Sequence, residues 1–201
     1  MRLADRVAAL AVPVLAVPVL ATGCTVAGLD ETGTPLPVTG EALAVLAGDH
    51  VRLQLDSVWT PERRPDRCRG VSANADFEGS RVALGLEIGD CPGRTRPAYV
   101  CAGDPVPLGQ DGVAEPLEDC DREELDGGRV LYTGTIPGDE EPTYRAAVLY
   151  DRGLRYTVTT DERSDVRDRE LAGMARDARV GATVDAAYVA AGRDLPRSHD
   201  H

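Results

Sequence analysis

The stretch from 129 to 160 constrains the fold most. It holds three strand-like runs, at 129–136, 143–150 and 154–160. Tyr144, Ala146, Val148 and Tyr150 alternate with their neighbours, and so do Leu154, Tyr156 and Val158, which is the period of a half-buried strand. Asp151-Arg152-Gly153 makes a tight turn with a glycine free to take positive φ. Pro137-Gly138-Asp139 breaks the chain ahead of the middle strand. A chain with this meander has to build an antiparallel sheet and then cover one of its faces.

The flanking residues supply more strands and the cover. From 51 to 59, Val51, Leu53, Leu55, Ser57 and Trp59 alternate with Arg52, Gln54 and Asp56, and Trp59 is expected to pack at the strand end. A second strand at 81–88 points Val82, Leu84, Leu86 and Ile88 to one side, and 98–101 reads as a short third. Residues 61–70 read as loop. Residues 102–128 read as a long, irregular acidic loop, with eight carboxylates and one Arg between Asp111 and Asp126. Residues 41–46 fit a helical turn or a strand equally well. Downstream, Ser164 or Asp165 can cap a helix to about Ala178. Its buried stripe would be Leu171, Met174, Ala175 and Ala178, with Val166 off it. Gly181 ends that run, and Thr183 or Asp185 can cap a shorter helix to Ala191. Strands followed by helices predict an α+β fold: an antiparallel sheet of hairpins, with C-terminal helices packed on one face.

The N-terminal residues speak to location. Arg2 and Arg6 lead into an uncharged run, 7–23, that ends Leu20-Ala21-Thr22-Gly23-Cys24. Pro13 and Pro18 within that run suit a transient, processed segment better than a permanent helix. The ending resembles the lipobox of bacterial lipoproteins, with Ala21 where leucine is preferred. The resemblance implies that Cys24 takes a diacylglycerol, that cleavage follows Gly23, and that the mature protein is held at the outer face of the membrane by fatty acyl chains. Two rivals stay open. Val19-Leu20-Ala21 fits an ordinary signal-peptidase site, and 7–29 is long enough to span a bilayer if uncut. The organisation expected is a signal peptide at 1–23, a flexible Gly-, Thr- and Pro-containing tether at 24–40, one domain at 41–192 and a frayed tail at 193–201.

Composition narrows the function classes. All 22 basic residues are Arg, and the formal charge of −12 becomes −13 once residues 1–23 are lost. An acidic domain is repelled by nucleic acid, so that class is set aside. The arginine bias and the ending, 176–181 and then 188–192, are loosely similar to uncharacterised actinobacterial lipoproteins, a resemblance that implies no activity. Beyond Cys24 four cysteines remain, Cys68, Cys91, Cys101 and Cys120. An even count outside the cytosol reads as two disulfides. Three pairings are open, and the sequential one, Cys68–Cys91 with Cys101–Cys120, is favoured.

Residues fit for chemistry are few. None of Ser57, Ser72, Ser80, Ser164 and Ser198 sits in a nucleophile elbow. His50 is the sole histidine outside the tail, where His199 and His201 lie. It could join Asp49 or another acid in a triad, but no partner is announced. Neither a phosphate loop nor a zinc motif is present, and no metal or cofactor is expected. The acidic stretch could offer calcium its oxygens, but Asp119-Cys120-Asp121-Arg122-Glu123 is followed by Glu124 where an EF-hand needs glycine. Arg63, Arg64, Arg67, Arg69, Arg94 and Arg96 are a stronger hint. A Cys68–Cys91 bridge would gather them into an anion site, unless they simply pair with the acidic stretch. The expectation is a lipid-anchored, non-catalytic binding or accessory module. Its partners would be the membrane and an anionic envelope component or a membrane protein. The alternative is an extracytoplasmic hydrolase with an acidic site assembled only by folding.

Overall fold

In the computed structural model the described residues are 35–61, 69–89, 97–107, 113–137 and 143–198. In chain order the elements are β1 (Leu36–Pro37), α1 (Gly40–Gly48), β2 (Leu55–Trp59), β3 (Arg69–Phe77), β4 (Ser80–Ile88), β5 (Pro97–Cys101), β6 (Val113–Leu125), β7 (Arg129–Ile136), β8 (Tyr144–Asp151), β9 (Leu154–Asp161), α2 (Asp168–Arg176), β10 (Thr183–Val184) and α3 (Ala186–Arg193). Eight strands form one sheet in the order β2-β3-β4-β9-β8-β7-β6-β5, and β1 pairs separately with β10. All neighbours are antiparallel except β5 and β6, which run parallel. The fold is therefore α+β with an antiparallel-dominated sheet, as the alternation predicted.

The meander at β7-β8-β9 is in place, with Asp151 opposite Leu154 across a two-residue turn. Arg152 and Gly153 take φ of 34° and 86°, the left-handed pair that matches the twist of a hairpin and that glycine adopts without strain. The β3–β4 hairpin turns the same way through Glu78 and Gly79. β3 is a strand that the sequence pattern does not announce, and it begins at Arg69 and Gly70, within the expected loop. Its inward positions Ala73 and Ala75 are small and its outward ones include Ser72, Asn74 and Asp76, so its hydrophobic alternation is faint.

The helices cover one face. Val82, Leu84 and Leu86 of β4, Tyr156 and Val158 of β9, and Leu131, Ala147 and Leu149 of β7 and β8 form a core there with Leu43 and Leu46 of α1 and Leu171 and Met174 of α2. β8 is buried on both sides from Ala146 to Tyr150. Its other side faces a second cluster of Val100, Leu117, Tyr132, Ala146, Val148 and Tyr150, with Tyr132 and Tyr150 edge to face at 5.8 Å between ring centres.

That second cluster exists because β6 bends. The acidic stretch expected as irregular loop is in large part this 13-residue strand. Glu118 pairs with Thr135 and Asp121 with Thr133, so Asp119 and Cys120 together oppose Gly134. Asp119 takes φ of 47°. Such a bulge kinks a strand and re-aims its side chains. Here it lays the first half of β6, with β5, over the face away from the helices, and it turns Cys120 toward Cys101. The disulfide between them spans 5.4 Å from Cα to Cα. A Cβ on Gly134 would stand 2.7 Å from the Glu118 carbonyl oxygen, so the bulge needs glycine opposite it. Cys68 and Cys91, the other expected pair, lie outside the described residues.

Several boundaries move. The expected tether ends early, because Leu36 pairs with Val184, Val38 is buried and the Thr39 hydroxyl accepts from the Ala42 N–H to start α1 at Gly40. The expected frayed tail is attached as far as Ser198, since α3 runs to Arg193, Leu195 packs on the core and Ser198 bonds back to Val58. β2 has a bulge between Leu55 and Ser57. One extra residue moves the following side chains to opposite faces, so Val58 is buried and Trp59, on the other side, is half-buried and in neither core cluster. α2 starts late, with the Glu170 carboxylate accepting from the Arg167 N–H. The residues ahead of it hang from Arg145, whose guanidinium donates to the Ser164 and Val166 carbonyls and to Asp168. Val166, off the helical stripe, is thereby pressed into the core, while Ala178 lies beyond the helix end and is exposed.

Candidate functional site

Among the described residues a dense group of titratable side chains lies where two helix ends meet. Asp49 caps the C-terminus of α1 and Asp177 that of α2. His50 follows Asp49, and its Nε2 is 2.8 Å from Asp177 Oδ2. Arg179 folds back on Asp177, with Nε 2.9 Å from Oδ1 and Nη2 2.6 Å from Oδ2. Its Nη1 donates to Asp49 Oδ2 at 2.8 Å and also to the Tyr188 hydroxyl, and the guanidinium stands 5.1 Å from the Tyr188 ring centre. The Tyr188 hydroxyl donates to the same Asp49 oxygen. Three segments that are far apart in sequence, the end of α1, the end of α2 and α3, are thus tied by one charged knot.

The electrostatics follow from that packing. Asp177 is buried, which by itself would raise its carboxyl, yet the hydrogen bonds from Arg179 and His50 outweigh burial and hold it at about 2. Arg179 is pushed up by the same Asp177 contact. Burial raises Tyr156 strongly, the Asp177 charge adds to this, and the Tyr156 hydroxyl has no hydrogen-bond partner among the described residues. The two Asp177 oxygens are saturated by donors from Arg179 and His50. The His50 ring rests on α2, 3.3 Å from where a Cβ on Gly173 would be. Among the described residues no hydroxyl or thiol is hydrogen-bonded to His50. Chemically the group is an oriented imidazole with a fixed carboxylate and no nucleophile in contact.

The sequence leaves His50 open to Asp49 or to another acid and announces no partner. The structure gives that role to Asp177, 127 residues away, while Asp49 serves Arg179. No local pattern announces Asp177. Its one trace is the Asp-x-Arg spacing of Asp177 and Arg179 past a helix end, where a carboxylate can bond the chain two residues on.

Arg63, Arg64, Arg67, Arg94 and Arg96 lie outside the described residues. Arg69 is described in its backbone, opposite Ile88. β3 therefore begins where β4 ends. The acidic strand β6 faces its charges outward, where Arg122 pairs with Asp104 and Glu124, and Glu123 with Arg176. Among the described residues no group of three or more His, Cys, Asp or Glu side chains is placed to hold a metal ion.

On this geometry the protein is an α+β domain with an antiparallel-dominated sheet, helices on one face and a disulfide between β5 and β6. Compared with protein-family models, with curated proteins and with solved structures, the chain matches none.

Proposed function

We propose that the chain is an extracytoplasmic lipoprotein, tethered through Cys24, whose folded domain is a non-catalytic binding or accessory module of the cell envelope. The observation that carries the reading is the leader: a cationic start, an uncharged run with two prolines, and Gly23-Cys24 at its end. Two acyl chains on one cysteine make a stable membrane tether, whereas one chain binds only marginally. The Cys101–Cys120 disulfide supports it, since disulfides persist in oxidising compartments. A binding role fits the His50 group, whose carboxylate is committed to Arg179 and the joining of helices.

Cys24→Ala tests the anchor. The processed wild-type protein is expected in the membrane fraction with a lipid-sized mass increment on the peptide that begins at Cys24. The variant is expected to lose that increment and to accumulate as the uncut precursor. A mature wild-type protein that begins at another residue, or whose Cys24 carries no lipid, would overturn the reading.

A further inference from the structure

β2 is an outer strand of the eight-stranded sheet, and the chain covers its free edge with its own C-terminal segment. The Val58 N–H donates to the Pro196 carbonyl at 3.0 Å, and the Val58 carbonyl accepts from the Ser198 N–H at 3.1 Å. Together they make a parallel bridge between Val58 and Arg197. An uncovered edge strand pairs with other chains, so the cover has a purpose, yet it is slight. Among the described residues it is a single bridge long. The next rung toward Leu55 needs an N–H at position 196, and proline has none. Pro196 and Arg197 are exposed, so backbone hydrogen bonds rather than apolar burial hold the segment down. Leu195 packs on the core, which places the point of detachment just after it. The opposite outer strand is treated differently. The outward carbonyls of Pro97, Tyr99 and Cys101 in β5 accept from the buried Arg155, from the Tyr150 hydroxyl and from the Asp104 N–H. Arg155 is itself held by Glu87, so that edge is closed by two side chains of the sheet and by the turn that follows β5.

We propose that the β2 edge is a docking site for an extended peptide segment of a partner protein, and that residues 196–198 occupy it in cis as a stand-in. Strand addition draws affinity from main-chain bonds and specificity from alternate side chains. The partner segment is extended, free of proline at the rung that Pro196 leaves empty, and four or more residues long, so that it makes more ladder bonds than the tail it displaces. Trp59, half-buried beside Val58, flanks the docked strand. Nothing in this depends on the lipid anchor.

The test removes residues 196–201 and measures binding of two fluorescent peptides by anisotropy, one with the native sequence of residues 194–200 and one carrying Pro196→Ala. The shortened protein is expected to bind both, the alanine peptide more tightly. The full chain is expected to bind at least ~10-fold more weakly, because a tethered competitor acts at high effective concentration. In the full chain the Val58 amide is expected to exchange with solvent far faster than amides of β4 and β9. No binding by the shortened protein, unfolding on removal of the tail, dimerisation of the shortened protein through β2, or a Val58 amide as protected as those of β4 would each overturn the proposal.

Discussion

Asp177 shows what one residue can carry. It ends α2, orients His50, and holds Arg179 over Tyr188 and Asp49. Its carboxyl sits at about 2 against an ordinary 3.8. A carboxyl lowered by folding contributes stability that is full above the unfolded value and is lost as the pH falls through the folded one. Acid unfolding of the wild type should therefore have a component between about pH 4 and pH 2 that comes from this residue. Asp177→Asn should remove that component and cost about 1.5–3 kcal/mol at neutral pH, the range for hydrogen bonds to charged groups. Urea melts at pH 7 and pH 3 check both parts, and the two proteins should differ less at the lower pH. The charges themselves were visible in the sequence, but the His50–Asp177 contact was not, because it depends on how two helix ends approach across the core.

At the scale of elements, β6 is where local reading and fold diverge. Its six carboxylates and single Arg between Val113 and Leu125 look like a solvated loop. Those charges suit an outer strand, since charged side chains discourage pairing with other chains. β7 and β5 supply the pairing that the β6 sequence does not announce. The bulge at Asp119 and Cys120 then depends on Gly134. Gly134→Ala would drive a methyl group into the Glu118 carbonyl and should cost about 1–3 kcal/mol, as overpacking does. It should also make the Cys101–Cys120 bond easier to reduce, by disturbing the bend that aims Cys120. Thermal melts with a dithiothreitol titration, read by mass after alkylation, check this. A disulfide over a span of 19 residues is worth about 3 kcal/mol in the chain-entropy account, so loss of the bond would compound the loss of stability. β2 gives the same lesson at smaller size: a one-residue bulge exchanged the roles of Ser57, Val58 and Trp59.

For the whole molecule, the proposed role rests on surfaces and on the anchor. Arg63→Glu with Arg64→Glu should abolish retention on an anionic polymer such as immobilised polyglutamate. A pure binding role for these arginines predicts a melting temperature nearly unchanged, a stability shift within about 0.5 kcal/mol. A large fall in stability would mean that these arginines serve the fold. By itself the sequence determined the hairpins at β7-β8-β9, the inward face of β4, the short β5, a short last helix and the α+β class; it left the cap of that helix open between Thr183 and Asp185, and it favoured but did not fix the Cys101–Cys120 pair among three pairings. These rest on period, turn chemistry and capping, which act over a few residues. Only the tertiary structure decided that small-residue β3 and acidic β6 are strands, that residues 36–40 and 195–198 belong to the fold, and that His50 meets Asp177. Each of those depends on a partner supplied from elsewhere in the chain, and a backbone hydrogen bond or an ion pair across the core leaves no mark on the spacing of either partner's neighbours.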